Sequence, residues 1–410
     1  MNFEYFVVKR LISAKKYKSS ISAPIIKIAI TAIAIGVIMM LVSFATGLGL
    51  QEKIRDKIAA FNGHINISSY DNNSSKVSLI PVSKNQDFYP EFTSVEGIKH
   101  VQAVATKFAV IRTENDFEGI IVKGVGDDYN WEYFEEFLIA GALPDFSENL
   151  NDEVLISQYL ANRLQLKVGD KVPTYFLRDD SERPLARGFE ITGIYESGFQ
   201  EFDELYLIAD IRHIQRINNW EDDEVGNFEV FVDDFNELDQ KGNEVYENTG
   251  SFLDTQTISQ KYYSIFEWLS LFDFNIALII GIMILVAGIN MITALLVLIL
   301  ERTQMIGVLK ALGAGDWSIR KIFLYNAGYL IVLGLFWGNL IGIGILALQK
   351  YLKLVPLDPR TYYVTEVPIY LNWDYILVVN LGTLLLCMIM LLVPSLIITK
   401  ISPVKAIKFE

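Results

Sequence analysis

Residues 276–323 read IALIIGIMILVAGINMITALLVLILERTQMIGVLKALGAGDWSIRKIF. The first part, Ile276–Leu300, carries no charge and exceeds the roughly 20 apolar residues that cross a bilayer. A helix buried in a water-soluble core rarely runs so far without a charge, so this stretch reads as a membrane span. Three more segments share its character: Ile28–Leu50, Ile322–Leu348 and Tyr375–Thr399. The second part of the quoted stretch differs. It reads as a short mixed-charge amphipathic helix, a double-glycine stop and a fresh helix start.

The chain has 410 residues, 51% of them hydrophobic, and a net charge of −14. The first span is roughly twice the usual 7–15-residue apolar core of a signal peptide and follows a long basic stretch, so an uncleaved anchor is expected. The single cysteine, Cys387, lies in the fourth span and cannot form an intrachain disulfide.

Charge sets the expected orientation. Before span one stand Lys9, Arg10, Lys15, Lys16, Lys18 and Lys27 against Glu4. After span two stand Arg302, Lys310, Arg320 and Lys321 against Glu301 and Asp316. The last segment has Lys400, Lys405 and Lys408 against Glu410. Four crossings put all three on one side, which the positive-inside rule makes the cytoplasm. Residues 51–273 hold 19 Lys and Arg against 42 Asp and Glu, a net of −23, and form the expected extracytoplasmic domain. Its acidity argues against nucleic-acid binding.

The expected layout follows. Residues 1–27 form a cytoplasmic amphipathic helix, with Phe3, Phe6, Val7, Leu11 and Ala14 on one face; a disordered basic tail is the alternative. Spans occupy 28–50, 276–300, 322–348 and 375–399. The external domain is 51–273, the cytoplasmic connector 301–321, an external loop 349–374 and a cytoplasmic tail 400–410. Within 51–273, GHINIS (63–68), VQAVATKFAVI (101–111), EGIIVKGV (118–125), RGFEITGIYES (187–197) and NFEVFVDD (227–234) read as strands. DEVLISQYLANRLQL (152–166) reads as strand then helix, and IADIRHIQRI (208–217) and FNELDQKGNEVYENT (235–249) as helices. Such alternation predicts an α+β domain. Residues 174–189 read as a polar hairpin tip, and 257–275 as a helix leading into span two. The fold class is therefore membrane α-helical, with four transmembrane helices plus a large α+β extracytoplasmic domain.

Much chemistry is missing. Gly-Lys occurs nowhere, so there is no phosphate-binding loop of the G-x-x-x-x-G-K-[ST] type. There is no HExxH, no Cys/His cluster and no G-x-S-x-G; His64, His100 and His213 are scattered. No catalytic and no metal site is expected. Span interiors carry neutral polar groups, such as Ser43, Thr46, Asn290, Thr293, Asn326, Asn339 and Asn380, whereas ion-driven pumps place ionisable groups there. Energy must then enter from elsewhere. In the connector, Met305, Ile306, Leu309 and Leu312 lie on one helical face, with Gln304 and Lys310 on others. Gly313 and Gly315 stop the helix and Asp316 is positioned to cap the next. Such a ridge fits a groove on a partner or the membrane surface, and periodicity does not separate the two. In span three, Gly334, Gly338 and Gly342 recur every four residues, leaving a smooth face for a neighbouring helix; general glycine enrichment of membrane helices is the alternative. Pro394 kinks span four or marks its end.

The connector ERTQMIGVLKALGAGDWSIRKIF resembles that of the ABC permeases grouped with MacB, FtsX and the lipoprotein-releasing LolC/LolE proteins. The likeness extends along the chain: FVVKRLISAKKYKS, AIAIGVIMMLVSFATGLGLQEKI, DEVLISQYLANRLQLKVGDKV, FEITGIYESG and ISPVKAIKFE are similar to successive family blocks. VPLDPRTYYVTEVPIYLNWDYIL (355–377) is similar to the loop of the LolC/LolE branch. FtsX-type proteins have a shorter external domain, and MacB carries a fused ATPase.

The resemblance implies a MacB-like periplasmic domain and a permease subunit in the bacterial inner membrane, both termini cytoplasmic. It is not itself an enzyme: ATP and Mg belong to a separate ABC ATPase. The connector is then a coupling helix seated on that ATPase, through Glu301, Met305, Ile306, Gly307, Leu309, Lys310, Leu312 and Gly313. A second permease subunit, a copy or a LolC/LolE-type partner, completes a cavity for lipoprotein acyl chains among membrane lipids. Ile35, Met39, Met40, Phe44, Met283 and Ile284 are its candidate lining; lipid-facing bulk is the plain alternative for each. Lipoproteins are the expected substrates, delivered to a periplasmic lipoprotein carrier. The 174–189 segment lies where LolC carries a carrier-binding hook, which makes Leu177, Arg178, Arg183, Pro184 and Arg187 candidate contacts. Its residues do not match that hook closely. An FtsX-like mechanotransmitter acting on a cell-wall hydrolase and a MacB-like exporter are the competing functions.

Overall fold

The computed structural model describes residues 3–13, 23–72, 75–114, 116–147, 149–178 and 181–402. The chain divides into a helical unit, Met1–Leu50, Leu269–Pro356 and Glu366–Glu410, and an α+β unit, Gln51–Trp268 and Leu357–Thr365. In chain order the helices are α1 (Phe3–Ser13), α2 (Ala23–Asn62), α3 (Glu132–Glu135), α4 (Gln158–Leu164), α5 (Gln200–Leu205), α6 (Ile211–Asn218) and α7 (Leu238–Glu247). There follow α8 (Ile258–Lys261), α9 (Tyr263–Glu301), α10 (Thr303–Ala311), α11 (Asp316–Leu352), α12 (Pro359–Tyr362) and α13 (Trp373–Leu392).

Four helical stretches among the described residues are long and apolar enough to cross a membrane: Pro24–Asn62, Tyr263–Glu301, Asp316–Leu352 and Trp373–Lys400. A helix apolar on all sides satisfies its own backbone, which a hydrocarbon medium requires. The helical unit's core joins Ile33, Val37 and Met40 of α2, Met291 and Leu295 of α9, Ala327 and Ile331 of α11, and Cys387 and Leu391 of α13. Asn339 on α11 and Asn380 on α13 exchange amide hydrogen bonds of 2.6 and 3.0 Å, a polar clamp between two apolar helices. Asn290 and Thr293 donate to carbonyls four residues back in their own helix. Helix α13 gives way to 3₁₀ geometry over Pro394–Lys400, with proline at its start. Residues 14–22 and 403–410, which carry parts of the expected N-terminal helix and tail, lie outside the described residues.

The strands of the α+β unit are β1 (Ile65–Ser69), β2 (Val82–Ser83), β3 (Ile98–Arg112), β4 (Phe117–Val125), β5 (Leu138–Gly141) and β6 (Glu153–Ser157). They continue with β7 (Lys171–Arg178), β8 (Ser181–Tyr195), β9 (Tyr206–Asp210), β10 (Glu224–Val225), β11 (Asn227–Val232) and β12 (Leu253–Thr257). The main sheet runs β12-β1-β11-β3-β4-β9-β6-β8-β5, with β7 paired to β3 and β8; β10 and β2 form a separate ribbon. The β4–β9 and β6–β8 pairs are parallel. Apolar residues at alternate positions fix the register: Ile65 and Ile67 of β1 and Phe228 and Val230 of β11 are fully buried. An aromatic cluster centred on Phe61, at 4.4 Å from Phe202 and 5.2 Å from Phe134, fills the core under this end of the sheet.

Local caps decide where helices begin. Ser157 Oγ accepts from Leu160 N at 3.0 Å and opens α4, and Asp210 does the same for α6 from Arg212 N at 2.9 Å. Thr257 and Gln260 form a capping box at α8. The box opens α8, and a break at Tyr262 divides the helix expected over 257–275 into α8 and the start of α9. The segment 174–189 is likewise more than a tip. Thr174 pairs with Arg187 and Phe176 with Leu185, and Phe176 and Phe189 are fully buried. These two buried aromatic rings anchor the hairpin in the sheet.

Candidate functional site

The connector forms a compact helical turn. Gly313 takes φ +91°, a left-handed value that favours glycine, and its N–H donates to Lys310 O at 3.0 Å. The cap of α11 is Gly315, with no side-chain bond, so Asp316 does not cap as expected. It stands one place inside the helix, and its carboxylate reaches Lys310 Nζ at 2.8 Å. Negative charge in a first turn is favoured by the helix dipole.

Lys310 is tied inward. Its Nζ also donates to the carbonyls of Ile398, Thr399 and Ile401, at 2.8, 3.3 and 3.0 Å. These carbonyls lie at the end of the 3₁₀ segment, where helical backbone runs out of its own donors; Ile398 O also accepts from Ile401 N at 3.3 Å. One lysine thereby fastens α10 to the end of the fourth span.

The apolar ridge read from periodicity divides. Ile306 and Gly307 are buried, and Met305 and Leu309 pack half-buried on the helical core. Outward face Gln304, Val308, Ala311 and Leu312, the last 80% exposed. The ridge of a short helix belonging to a bundle is drawn to its own core, so the surface open to a partner is the next strip round. Glu301 pairs with Arg302 at 3.9 Å.

The span residues separate in the same way. Ile35 and Met39 are exposed on α2, whereas Met40 is buried in the core. Phe44, Met283 and Ile284 pack against that core, and Phe44 stacks on Tyr375 at 5.3 Å. The six do not line one common surface. Met40 in particular is unavailable to a cavity wall while this packing holds.

The three glycines of α11 face α2. A Cβ on Gly334 would stand 2.7 Å from Ile33 Cβ; one on Gly338 would stand 2.7 Å from Val37 Cβ and 2.9 Å from Ala34 O. At Gly342 the nearest atom is Leu41 Cδ1, at 3.2 Å. The two backbones approach as small residues allow.

On the hairpin, Leu177 is 65% exposed, Arg183 and Pro184 are exposed and Arg187 is half-buried. The side chain of Arg178 lies outside the described residues.

One pair escaped the sequence reading. Lys123 of β4 and Glu229 of β11 form a fully buried ion pair at 2.7 Å. Lys123 Nζ also donates to Phe61 O at 2.8 Å, and Gln102 Nε2 to the other Glu229 oxygen at 2.8 Å. Burial lowers the Lys123 pKa, against the opposing pull of Glu229. The signal was present: IIVKGV and NFEVFV each place one charge in an otherwise apolar strand. Only the sheet order brings the two together.

Comparison with known proteins places the chain. Residues 28–244 match the MacB-like periplasmic core domain and residues 277–403 the FtsX-like permease C-terminal model. The lipoprotein-releasing system transmembrane protein LolC of Xylella fastidiosa (strain Temecula1) is 20% identical, over 98% of this chain and 97% of its own length. LolE of Haemophilus influenzae is 21% identical, over 99% of both. Among solved structures, the extracellular domain of the noncanonic ABC-type transporter YknZ from Gram-positive bacteria is 16% identical, with a TM-score of 0.30, over 40% of this chain and 83% of that one. The chain belongs to the family of ABC-transporter permeases that join a MacB-like periplasmic core domain to an FtsX-like permease C-terminal region.

Proposed function

We propose that the chain is the transmembrane permease of an ATP-driven complex that extracts lipoproteins from the outer leaflet of the bacterial inner membrane and hands them to a periplasmic carrier. The observation that carries this reading is the likeness to LolC and LolE along essentially the whole chain. It takes in the loop between spans three and four as well as the external unit.

The physical demand fits. Each acyl methylene buried in a bilayer contributes about 0.8 kcal/mol, so withdrawing several chains requires a driven machine. This chain has no phosphate-binding loop, so ATP and Mg are handled by a separate ABC ATPase. Force enters at α10, whose outward strip of Gln304, Val308, Ala311 and Leu312 seats in that subunit. Lys310, fixed to the end of the fourth span, transmits the movement. A second permease, identical or of the LolC/LolE type, completes the acyl-chain cavity. The β7–β8 hairpin, on which Leu177, Arg183 and Pro184 are exposed, touches the carrier. The basic bias of the segments flanking the spans supports a cytoplasmic location for both termini and α10.

The test is purification of the chain with its ATPase, followed by identification of what travels with it. Bound lipoprotein or triacyl lipid supports the reading. A cell-wall hydrolase in its place moves the function to the FtsX-like mechanotransmitter, and a periplasmic adaptor with an outer-membrane channel moves it to the MacB-like exporter.

A further inference from the structure

The α+β unit holds an open cavity of about 280 Å³, and its walls are unlike a protein core. Asn66 and Ser68 of β1, Thr106 of β3, Lys123 of β4, and Asn227 and Glu229 of β11 line one side. These are alternate positions along their strands, hence one face of the sheet. The opposite face at the same strands presents Ile65, Ile67, Phe228 and Val230 and is fully buried. The sheet thus has an apolar side and a polar, hollow one.

The charges around the hollow do not cancel locally. Lys123 is closed on Glu229 at 2.7 Å, and Lys76 on Glu201 at 2.9 Å. Lys261 is the remaining lining cation. Its Nζ donates to an amide oxygen, Asn62 Oδ1, at 2.9 Å, and no carboxylate stands within ion-pair distance of it among the described residues. Tyr262 OH donates to the same oxygen at 3.2 Å. The side-chain amides of Asn66 and Asn227 and the hydroxyl of Tyr206 line the cavity too, without a side-chain hydrogen bond among the described residues. The cavity therefore offers one uncompensated ammonium, two amides and a phenol. Burial already holds the Lys261 amine below its ordinary range, and Glu229 pulls the other way.

We propose that this cavity is a binding site for a small hydrophilic molecule bearing one carboxylate and several hydroxyl groups, with Lys261 on the carboxylate and Asn66, Asn227 and Tyr206 on the hydroxyls. Its volume of about 280 Å³ stands at the small end of ligand pockets, which run from roughly 300 Å³ upward, and suits no more than a single sugar-acid ring. The site has a place in the architecture: Phe61 and Asn62 stand near the start of the α+β unit in the chain, and Lys261 and Tyr262 near its end. A ligand here bonds to Lys261 and to Asn66, which follows Asn62 closely in the chain.

The experiment uses the full-length chain in detergent micelles and three probes of one shape: glucuronate, glucose and glucosamine. Calorimetry gives affinities, and reductive methylation read by mass spectrometry gives the accessibility of Lys261. Glucuronate is expected to bind saturably, to shield Lys261, and to bind at least about tenfold more tightly than the other two. Lys261→Gln is expected to lose about tenfold or more in glucuronate affinity, and so is Asn227→Asp, which sets a negative charge against the ligand. If Lys261→Gln lowers the melting temperature, Asn227→Asp and the shielding of native Lys261 decide. Absence of saturable glucuronate binding, equal affinity for all three probes, or methylation of Lys261 unaffected by glucuronate overturns the proposal.

Discussion

Lys123 and Glu229 show what a buried charge does at the scale of a residue. Each is almost entirely shielded, and the low-dielectric surroundings make either one alone costly. Glu229→Gln leaves the ammonium without its counter-charge and should cost about 3–5 kcal/mol. The double variant Lys123→Met, Glu229→Leu should recover most of that. Thermal melting of the full-length chain in micelles, followed by near-ultraviolet circular dichroism, measures both; a double variant as unstable as the single one contradicts the account. His64 makes a second residue-scale prediction. Burial is the largest cause that lowers its pKa from 6.5 to about 4, and its Nδ1 accepts from Val232 N at 3.0 Å. The unfolded chain therefore binds the proton first on acidification. The stability this residue contributes is complete above about pH 6.5 and disappears as pH falls toward 4, by up to about 3 kcal/mol. His64→Gln, which keeps an acceptor, should flatten the loss of melting temperature across that window. An unchanged slope would assign the acid sensitivity to other groups, His213 among them, whose pKa burial also lowers. None of these three residues was legible as a partner in the sequence, because a charge or an imidazole among apolar residues reveals its oddity but not what faces it.

Among elements, α10 separates packing from docking. Leu309 leans on the chain's own helical core, while Leu312 is 80% exposed. Leu309→Asp should lower the melting temperature of the permease by itself, since it puts a charge against apolar neighbours. Leu312→Asp should leave that melting temperature unchanged and weaken co-purification of the ATPase, with a cost of about 2 kcal/mol or more if it is a hot spot. Unaltered ATPase association with Leu312→Asp would mean that this strip is not the seat. Helix spacing in the sequence placed the turn, its glycine stop and its amphipathicity, but periodicity gives a face without saying what covers it. The glycines of α11 rank themselves. Gly338→Ala drives a methyl against backbone, Ala34 O at 2.9 Å, whereas Gly342→Ala meets the end of the Leu41 side chain at 3.2 Å and reaches backbone, Ile38 Cα, only at an ordinary 3.5 Å. The first should cost about 1–3 kcal/mol by overpacking and the second much less, as read by thermal melting in micelles. Equal effects would show that the helix pair yields freely.

At the scale of the molecule, the long uncharged runs carried the four spans, and strand alternation carried the α+β class. The sheet order was not legible: β4 beside β9 and β6 beside β8 are parallel pairs between segments far apart in the chain, set by packing that local pattern does not encode. The orientation rests on charge and has its own test. Leu177→Cys should react with an impermeant thiol reagent in intact spheroplasts, and Gln304→Cys only after permeabilisation; the opposite pattern inverts the topology. The central claim is that ATP hydrolysis by a partner drives lipoprotein out of the bilayer through this permease. Its most direct measurement reconstitutes the full-length chain with the ATPase in nanodiscs holding a triacylated lipoprotein, adds a soluble carrier, and follows lipoprotein transfer alongside ATP turnover. Transfer that requires ATP and stops with a hydrolysis-dead ATPase is the predicted result; steady ATP turnover with the lipoprotein left in the membrane would contradict it.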